Sequence, residues 1–541
     1  MGLAEEAIGN GEGGLGRIPR LGAKQKYIRM DAQILEETTG EGNNNGMNKD
    51  SDRISESRRY VIACAVFASL NSVLLGYDVG VMSGCIIFIQ KDLHITEVQQ
   101  EVLIGCLSFI SLIGSLAAGR TSDSIGRKWT IALAAVIFQI GAVIMTFAPS
   151  FTVLIVGRLL AGIGIGFGIM IAPVYIAEIS PAATRGSLSS FPEIFINVGI
   201  LLGYISNYAF SGLSVHISWR VMLAVGIFPS VFIGFALFVI PESPRWLMMQ
   251  NRVDEARLVL IKIIGSEEEA AERLAEIEVA AVLSTGKFEN TKTVWSEILK
   301  PSPVLKRMLI TGLGIQCFQQ ITGIDATVYY SPTILRTAGI QSDNKLLAAT
   351  VAVGFAKTIF ILIAILLIDR VGRKPLLYVS TIGMTVCLFG LATSLYLLDK
   401  GLVSTPAGIA VAIATVCGNV AFFSVGMGPI SWVMGSEIYP LRVRAQAAAL
   451  GSVANRVSSG VVAMSFLSIC DAISVAGAFF IFGVLSALSV AFMYRYVPET
   501  RGKSLEQIEA LFGDENGGWE GKEMELSDVK YEGIVNKGLH Y

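Results

Sequence analysis

Long stretches without a charged residue recur along this chain of 541 residues, and they constrain its fold more than any other feature. They include residues 102–119, 129–157, 194–219, 221–241, 375–398 and 472–494. About 20 consecutive apolar residues form a helix that crosses a bilayer core roughly 30 Å thick. Charged residues make up only 16% of the chain, against about 25% in soluble domains. The sequence therefore predicts an all-α membrane protein.

Four short motifs occur twice, in the same order and 246 to 259 residues apart. Asp-x-x-Gly-Arg-Lys begins at residues 123 and 369, and Glu-Ile-x-Pro-x-x-x-Arg begins at residues 178 and 437. Gly-x-Asp begins at residues 76 and 323, and Pro-Glu-Ser or Pro-Glu-Thr begins at residues 241 and 498. Such internal duplication is typical of transporter folds built from two related halves. We therefore expect twelve spanning helices in two six-helix halves.

The predicted organisation follows the apolar segments. The spans are expected at 60–82, 101–119, 129–148, 152–175, 190–210 and 219–240, then at 307–331, 346–368, 375–397, 406–434, 443–469 and 472–495. The domains are a disordered tail at 1–58, the first bundle at 59–240, a linker with surface helices at 241–305, the second bundle at 306–496 and a charged tail at 497–541. The linker is either a solvated connection between the halves or an element with a regulatory or gating role.

Lysine and arginine fall mainly in the loops on one side of the predicted bundle. Because basic loops stay in the cytoplasm, both termini and the linker are expected there. No signal peptide is expected, because the polar first 59 residues contain no apolar core with a cleavage site. The sequence contains no recognisable targeting signal, so the plasma membrane is the expected location and the vacuolar membrane is the alternative.

Several function classes are not supported by the sequence. The net charge of -2 gives no reason to expect a nucleic-acid partner. The seven cysteines lack metal-type spacing and lie in or beside apolar segments, so we interpret them as packing residues. No nucleotide loop or nucleophile constellation is present. We therefore expect neither an enzyme nor a cofactor or metal site.

Six charged residues lie inside predicted spans and away from the first and last two positions of each span. Each costs roughly 2.5–3.5 kcal/mol to insert, so each is a functional candidate that should face a polar cavity between the halves. They are Asp78, Arg158, Glu193, Asp325, Lys357 and Arg456. The three histidines all lie outside the predicted spans, so a coupled proton must be carried by a carboxylate. We expect Asp78 to carry it with Arg158 as its counter-charge; the alternative is a permanent ion pair that only fixes helix packing.

A second set of charges lies at the basic side, once in each half. It comprises Asp123, Arg127, Glu178 and Arg185, and correspondingly Asp369, Arg373, Glu437 and Arg444. These residues are expected to form a cytoplasmic gate that closes and opens between the halves, or alternatively to brace loops within them. Glycines add two expectations: Gly162, Gly164, Gly166 and Gly168 allow close helix packing, and Gly426, Gly428 and Pro429 break a helix beside a cavity.

Together these motifs resemble the sugar porter family of major facilitator transporters, over roughly residues 60 to 510. The segments that carry the resemblance are GRTSDSIGRK, DRVGRK, RLLAGIGIG, PESPRWL, FQQITGIDATVYYSP, GMGPISWVMGSEIYPLRVR and PETRGKSLEQIE. The segments GYDVGVMSG, FPEIFINVGI and GIDATVYYSP are most similar to plant polyol and monosaccharide proton symporters. The resemblance implies the major facilitator fold and proton-coupled symport by alternating access, with the proton as coupling ion.

The resemblance also assigns roles by position. Asp78 and Arg158 match the pair associated with proton coupling, and the matched substrate contacts and aromatic gate residues are Gln319, Gln320, Tyr329, Tyr330, Trp432 and Asn455. Glu193, Asp325, Lys357 and Arg456 stand where neutral residues are usual in hexose carriers. We hypothesise that these four pair across the cavity and favour polyols alongside some monosaccharides; alternatively, they balance one another away from the substrate. A monomer in the lipid bilayer is expected, and a passive facilitator or a non-transporting sugar receptor remain alternatives.

Overall fold

A computed structural model of the protein describes residues 44–181, 188–285, 291–440, 443–501, 508, 511 and 512. The chain divides into two compact units. In the unit formed by residues 1–55, the described part is helical. The unit formed by residues 56–541 contains the structure considered below. Its described residues are helical throughout, with turns and short connections, which confirms the all-α prediction.

The helices follow one another with short connections. The first half contains α1 (Asn44–Leu93), α2 (Glu97–Ile125), α3 (Arg127–Thr146), α4 (Phe151–Ile179), α5 (Phe191–Phe210), α6 (Val215–Val225) and α7 (Ile227–Ala236). The linker contains α8 (Pro244–Met249), α9 (Val253–Ile264), α10 (Glu267–Thr285) and α11 (Thr291–Leu299). The second half contains α12 (Pro303–Ile321), α13 (Ile324–Tyr329), α14 (Ser331–Thr337), α15 (Asp343–Val371), α16 (Arg373–Asp399), α17 (Thr405–Val425), α18 (Met427–Glu437), α19 (Arg444–Ile473) and α20 (Val475–Tyr496).

Eleven segments of the described chain are long and apolar enough to cross a membrane. The pair α6 and α7 forms one of them, and the pair α17 and α18 forms another. The seventh predicted span, 307–331, is instead divided among α12, α13 and α14. Gly323, with φ of 84°, separates α12 from α13 in a left-handed conformation that glycine adopts without steric cost. With this broken segment, the fold has the twelve crossings expected from the sequence.

Glycines let α4 pack closely against two neighbouring helices. A methyl group placed on Gly164 would lie 2.6 Å from the backbone nitrogen of Phe138 on α3. One placed on Gly166 would lie 2.8 Å from the backbone nitrogen of Ser115 on α2. Both distances are too short for a side chain, so the helix backbones approach each other where these glycines lie. The predicted packing role of this glycine series is confirmed at both positions.

The linker helices α8, α9 and α10 share a small apolar core. Trp246, Leu247 and Leu260 are buried in it. The indole of Trp246 also donates to the backbone oxygen of Asp123 at 3.0 Å. Since Asp123 lies in the last turns of α2, this bond holds α8 against the turn between α2 and α3. α10 lies within 241–305, where the sequence predicted surface helices.

Candidate functional site

A cavity of about 550 Å³ lies between the two halves. The first half lines it with residues of α1, α2, α4 and α5, and the second half with residues of α12, α13 and α15 to α19. The cavity reaches Arg373 and Glu437, at the side where the basic turns lie. We call that side the basic side and the other the opposite side. Nine of the predicted substrate residues line this cavity; they are Glu193, Gln319, Gln320, Asp325, Tyr329, Lys357, Trp432, Asn455 and Arg456.

Buried amides form a connected cluster on one wall. The amide nitrogen of Asn455 donates to Gln319 Oε1 at 2.7 Å and to Gln316 Oε1 at 3.0 Å. Gln320 donates to Asn455 Oδ1 at 3.3 Å, while its own Oε1 atom has no partner among the described residues. Because amides both donate and accept hydrogen bonds, such a wall can bind hydroxyl groups. Gln316 was not predicted, since a single glutamine in an apolar helix gives no signal of its own.

The helix break at Gly426 is adjacent to this cluster. α17 ends at Val425 and α18 begins at Met427, as the glycines and proline predicted. The hydroxyl of Ser380 accepts from the Met427 N–H at 3.0 Å, and Gln319 Nε2 donates to the backbone oxygens of Met427 and Gly428 at 3.2 and 3.0 Å. Backbone groups released by a break within a membrane need such partners. Gln319 therefore joins the amide cluster to the break.

Four charged side chains line the cavity without pairing directly. Among the described residues, no ion pair within 4.0 Å joins Glu193, Asp325, Lys357 or Arg456 to another of the four, so the predicted pairing is not formed in this conformation. Asp325 accepts a short hydrogen bond from Ser459, and the Lys357 ammonium lies 5.3 Å from the centroid of the Phe423 ring. Two carboxylates and two cations balance in charge, which suits an uncharged ligand.

The aromatic candidates divide into two groups. Tyr329 lines the cavity, and so does Trp432, which is 36% exposed. Tyr330 does not line it: its ring stacks on Phe466 with centroids 4.9 Å apart, and its hydroxyl donates to the Ala463 oxygen at 2.8 Å. Tyr329 is the last residue of α13 and Tyr330 lies in the turn that follows, and only Tyr329 faces the cavity. The expectation that both tyrosines lie at the cavity is corrected for Tyr330.

A fully buried ion pair joins α1 and α4. Arg158 Nη1 lies 2.5 and 2.6 Å from the two carboxylate oxygens of Asp78, and Arg158 Nε donates to the Leu103 oxygen at 3.0 Å. The side chain of Asp78 is 2% exposed and that of Arg158 is 0% exposed. Neither residue lines the cavity. The structure thus places the predicted pair in contact, and neither partner is part of the cavity lining.

The charges at the basic side are paired within each half. In the first half, Arg127 binds Asp123 at 3.1 Å and Glu178 at 3.0 Å. In the second half, Arg373 binds Glu437 at 3.0 Å, and Arg444 donates to the Tyr439 oxygen. Arg185 and the side chain of Asp369 lie outside the described residues. These contacts brace each half; the predicted gate between the halves is not formed by them in this conformation.

Two glutamates that the site prediction omitted complete these networks. Glu242 Oε1 accepts from the backbone N–H groups of Arg127 and Lys128 at 2.8 and 3.1 Å. Glu499 accepts from the N–H groups of Arg373 and Lys374 at 3.0 and 2.9 Å. Each glutamate therefore caps a helix N-terminus, where a carboxylate is stabilised. The repeated Pro-Glu motif that contains them was the available signal.

Burial affects the charge of one of these caps. It raises the pKa of the Glu242 carboxyl above its usual range, while the N–H groups of Ser243, Lys128 and Arg127 act in the opposite direction. The N–H donors thus favour the charged form that burial disfavours. The start of α3 at Arg127 therefore stabilises the charged form of Glu242 by presenting these donors.

The fold and cavity define a class of protein: a multi-pass membrane transporter with the major facilitator fold. The sequence matches the family model described as "Sugar (and other) transporter" over residues 64–512. The chain belongs to this family. It is 65% identical to the "Probable polyol transporter 4" of Arabidopsis thaliana over 97% of both chains. It is also 34% identical to the "D-xylose transporter" of Levilactobacillus brevis, over 83% of this chain and 95% of that one.

Solved structures give the same assignment. One is described as the "proton:xylose symporter XylE bound to 6-bromo-6-deoxy-D-glucose"; it matches with a TM-score of 0.70 and 28% identity over 84% of this chain and 100% of that one. Another, described as the "inward open conformation" of XylE from E. coli, matches with a TM-score of 0.70 over 83% of this chain and 99% of that one. These similarities confirm the sugar porter resemblance and the twelve-helix fold predicted from the sequence.

Proposed function

We propose that this protein is a proton-coupled symporter of polyols, monosaccharides or both, working by alternating access. The observation that carries the proposal is the buried Asp78 and Arg158 pair beside a cavity lined by amides, aromatic rings and balanced charges. The polyol and xylose transporters among its relatives, one of them described as a proton symporter, support it.

The cavity walls offer two kinds of contact that suit a hydroxyl-rich ligand. Amides of Gln319, Gln320 and Asn455 exchange hydrogen bonds with hydroxyls, while the rings of Tyr329 and Trp432 cover apolar C–H faces. The charged groups of Glu193, Asp325, Lys357 and Arg456 add strong hydrogen bonds. We infer that these four, which most distinguish this cavity from a hexose site, set its preference for polyols.

Coupling requires that the charge state of Asp78 depend on which side is open. With Asp78 charged, Arg158 compensates it; with Asp78 protonated, α1 and α4 are free to separate. We propose that the basic side, with its lysines and arginines, faces the cytoplasm and that both termini lie there. By this assignment, the cavity reaches the cytoplasmic side in the present conformation. We propose a monomer in the plasma membrane, with the vacuolar membrane as the alternative.

Proteoliposomes test the proposal directly. Uptake of labelled sorbitol, mannitol, inositol and glucose is measured with and without an imposed proton gradient. A symporter accumulates its substrate against a concentration gradient only when protons flow inward, and the substrate alone drives proton uptake. Flux that merely equilibrates, with no substrate-driven proton uptake, would identify a passive facilitator instead.

A further inference from the structure

We propose that Glu101 on α2 is a positioning residue that holds the entrance at the opposite side closed by binding Ser468 on α19. The carboxylate of Glu101 accepts from the Ser468 hydroxyl at 2.6 Å and from the Ser468 backbone N–H at 2.9 Å. Glu101 is only 3% exposed. The two residues belong to different halves, so the contact joins bodies that separate whenever this side opens. This inference rests on the alternating access proposed above.

The rest of the interface between α2 and α19 is built for close approach. A methyl group on Gly105 would overlap the side chain of Met464, and one on Gly460 would lie 2.5 Å from the ring of Phe109. The helices run in opposite directions, so these contacts lie progressively deeper than the bond between Glu101 and Ser468. The two small residues allow the backbones to meet, which excludes water from the carboxylate above them.

The deepest contact of this interface reaches the cavity. The hydroxyls of Ser108 on α2 and Ser459 on α19 lie 2.9 Å apart, and Ser459 donates its proton to Asp325. Since a serine hydroxyl has one proton, Ser108 must be the donor to Ser459. The same interface therefore has a carboxylate at each end, Glu101 near the surface and Asp325 at the cavity.

A buried carboxylate makes this closure strong and specific. Hydrogen bonds to a charged acceptor are roughly twice as strong as neutral ones. When the halves part, water replaces both donors of Ser468, so the contact favours only the closed arrangement. Loss of the Ser468 hydroxyl should lower the ratio of closed to open molecules at this side about tenfold.

The experiment measures that ratio by electron spin resonance on the full-length protein. Spin labels are placed at Val98 and Ile473, which are 63% and 47% exposed near the ends of α2 and α19. The seven native cysteines are first replaced, and retained substrate binding or transport is checked. Distances are recorded without substrate or proton gradient, so a failure of proton coupling leaves this test unaffected.

Ser468→Ala and Glu101→Gln should each move the distance distribution toward the longer, open distance, and combining them should add little. Ser468→Thr keeps the hydroxyl, so its distance distribution should match that of the wild type. The matched control is Ser465→Ala, because Ser465 lies one turn earlier on α19 and donates only within its own helix, to Val461. If Ser468→Ala and Glu101→Gln give the same distribution as Ser465→Ala, the proposal is overturned.

Discussion

Arg158 Nη1 lies 2.5 Å from Oδ1 of Asp78, and neither side chain reaches the cavity. A ligand bound in this cavity would therefore not contact the carboxylate proposed to carry the proton. Communication between them must pass through movement of α1 and α4, the helices that bear the pair. Coupling between substrate and proton then depends on the movement of these helices, and not on a hydrogen bond between the substrate and Asp78.

Asp78→Asn should abolish substrate-driven proton uptake while exchange of substrate at equal concentrations continues, because the asparagine cannot release a proton. The change also leaves Arg158 buried without its counter-charge, which costs about 3–5 kcal/mol of stability. Proton uptake is followed with a pH-sensitive dye, and exchange with labelled substrate. Asp399→Asn is the control, since Asp399 is exposed at the end of α16. Proton uptake at the wild-type rate in Asp78→Asn would contradict the proposed role.

Asn455→Ala should raise KM for the best substrate about ten- to a hundredfold, because it removes a contact and leaves Gln319 and Gln316 without a donor. Initial uptake rates over a range of concentrations measure the change. Asn419→Ala is the matched control: Asn419 is also buried but does not line the cavity. Equal KM values for the two variants would show that Asn455 does not contribute to substrate binding.

Glu193→Gln should narrow or reorder the preference among sorbitol, mannitol, inositol and glucose, because the neutral side chain binds hydroxyls less strongly than a carboxylate does. Ratios of kcat/KM for the four compounds give the selectivity. Glu255→Gln, at an exposed glutamate of the linker, serves as the control. A selectivity pattern identical to that of the wild type would show that the cavity charges balance one another away from the substrate.

Glu242→Ala and Glu499→Ala should each lower the free energy of unfolding by about 0.5–2 kcal/mol, since each removes a helix cap. The two losses should be similar because the caps occupy equivalent places in the two halves. Thermal denaturation in detergent measures them. Glu255→Ala removes only an exposed ion pair with Arg252 and should have a smaller effect. If Glu242→Ala or Glu499→Ala lowers the free energy of unfolding no more than Glu255→Ala does, that glutamate does not stabilise its helix as a cap.

The sequence predicted those features that depend on hydrophobicity or on rare residues in apolar surroundings. Spanning helices follow from charge-free runs, and Asp78 and Arg158 stand out because ions in such runs are costly. The break at Gly426 followed from glycine and proline in a long apolar segment. Each of these signals is local in the sequence, which is why a single chain reveals it.

Contacts between distant neutral residues were not predictable. Serine is common in apolar helices, so nothing distinguishes Ser380, which satisfies the helix break, or Ser468, which binds Glu101. Tyr329 and Tyr330 are adjacent and chemically identical, and only the way the chain turns at the end of α13 decides which of them lines the cavity. The partners of Glu193 and Lys357 likewise depend on how far apart the halves stand, a property of the conformation.

The ion pairs of Arg127 and Arg373 each join residues of the same half. When the halves tilt apart on that side, these charges travel with their partners and none has to be rehydrated. A carrier built this way opens and closes its basic side without breaking the ion pairs that Arg127 and Arg373 form.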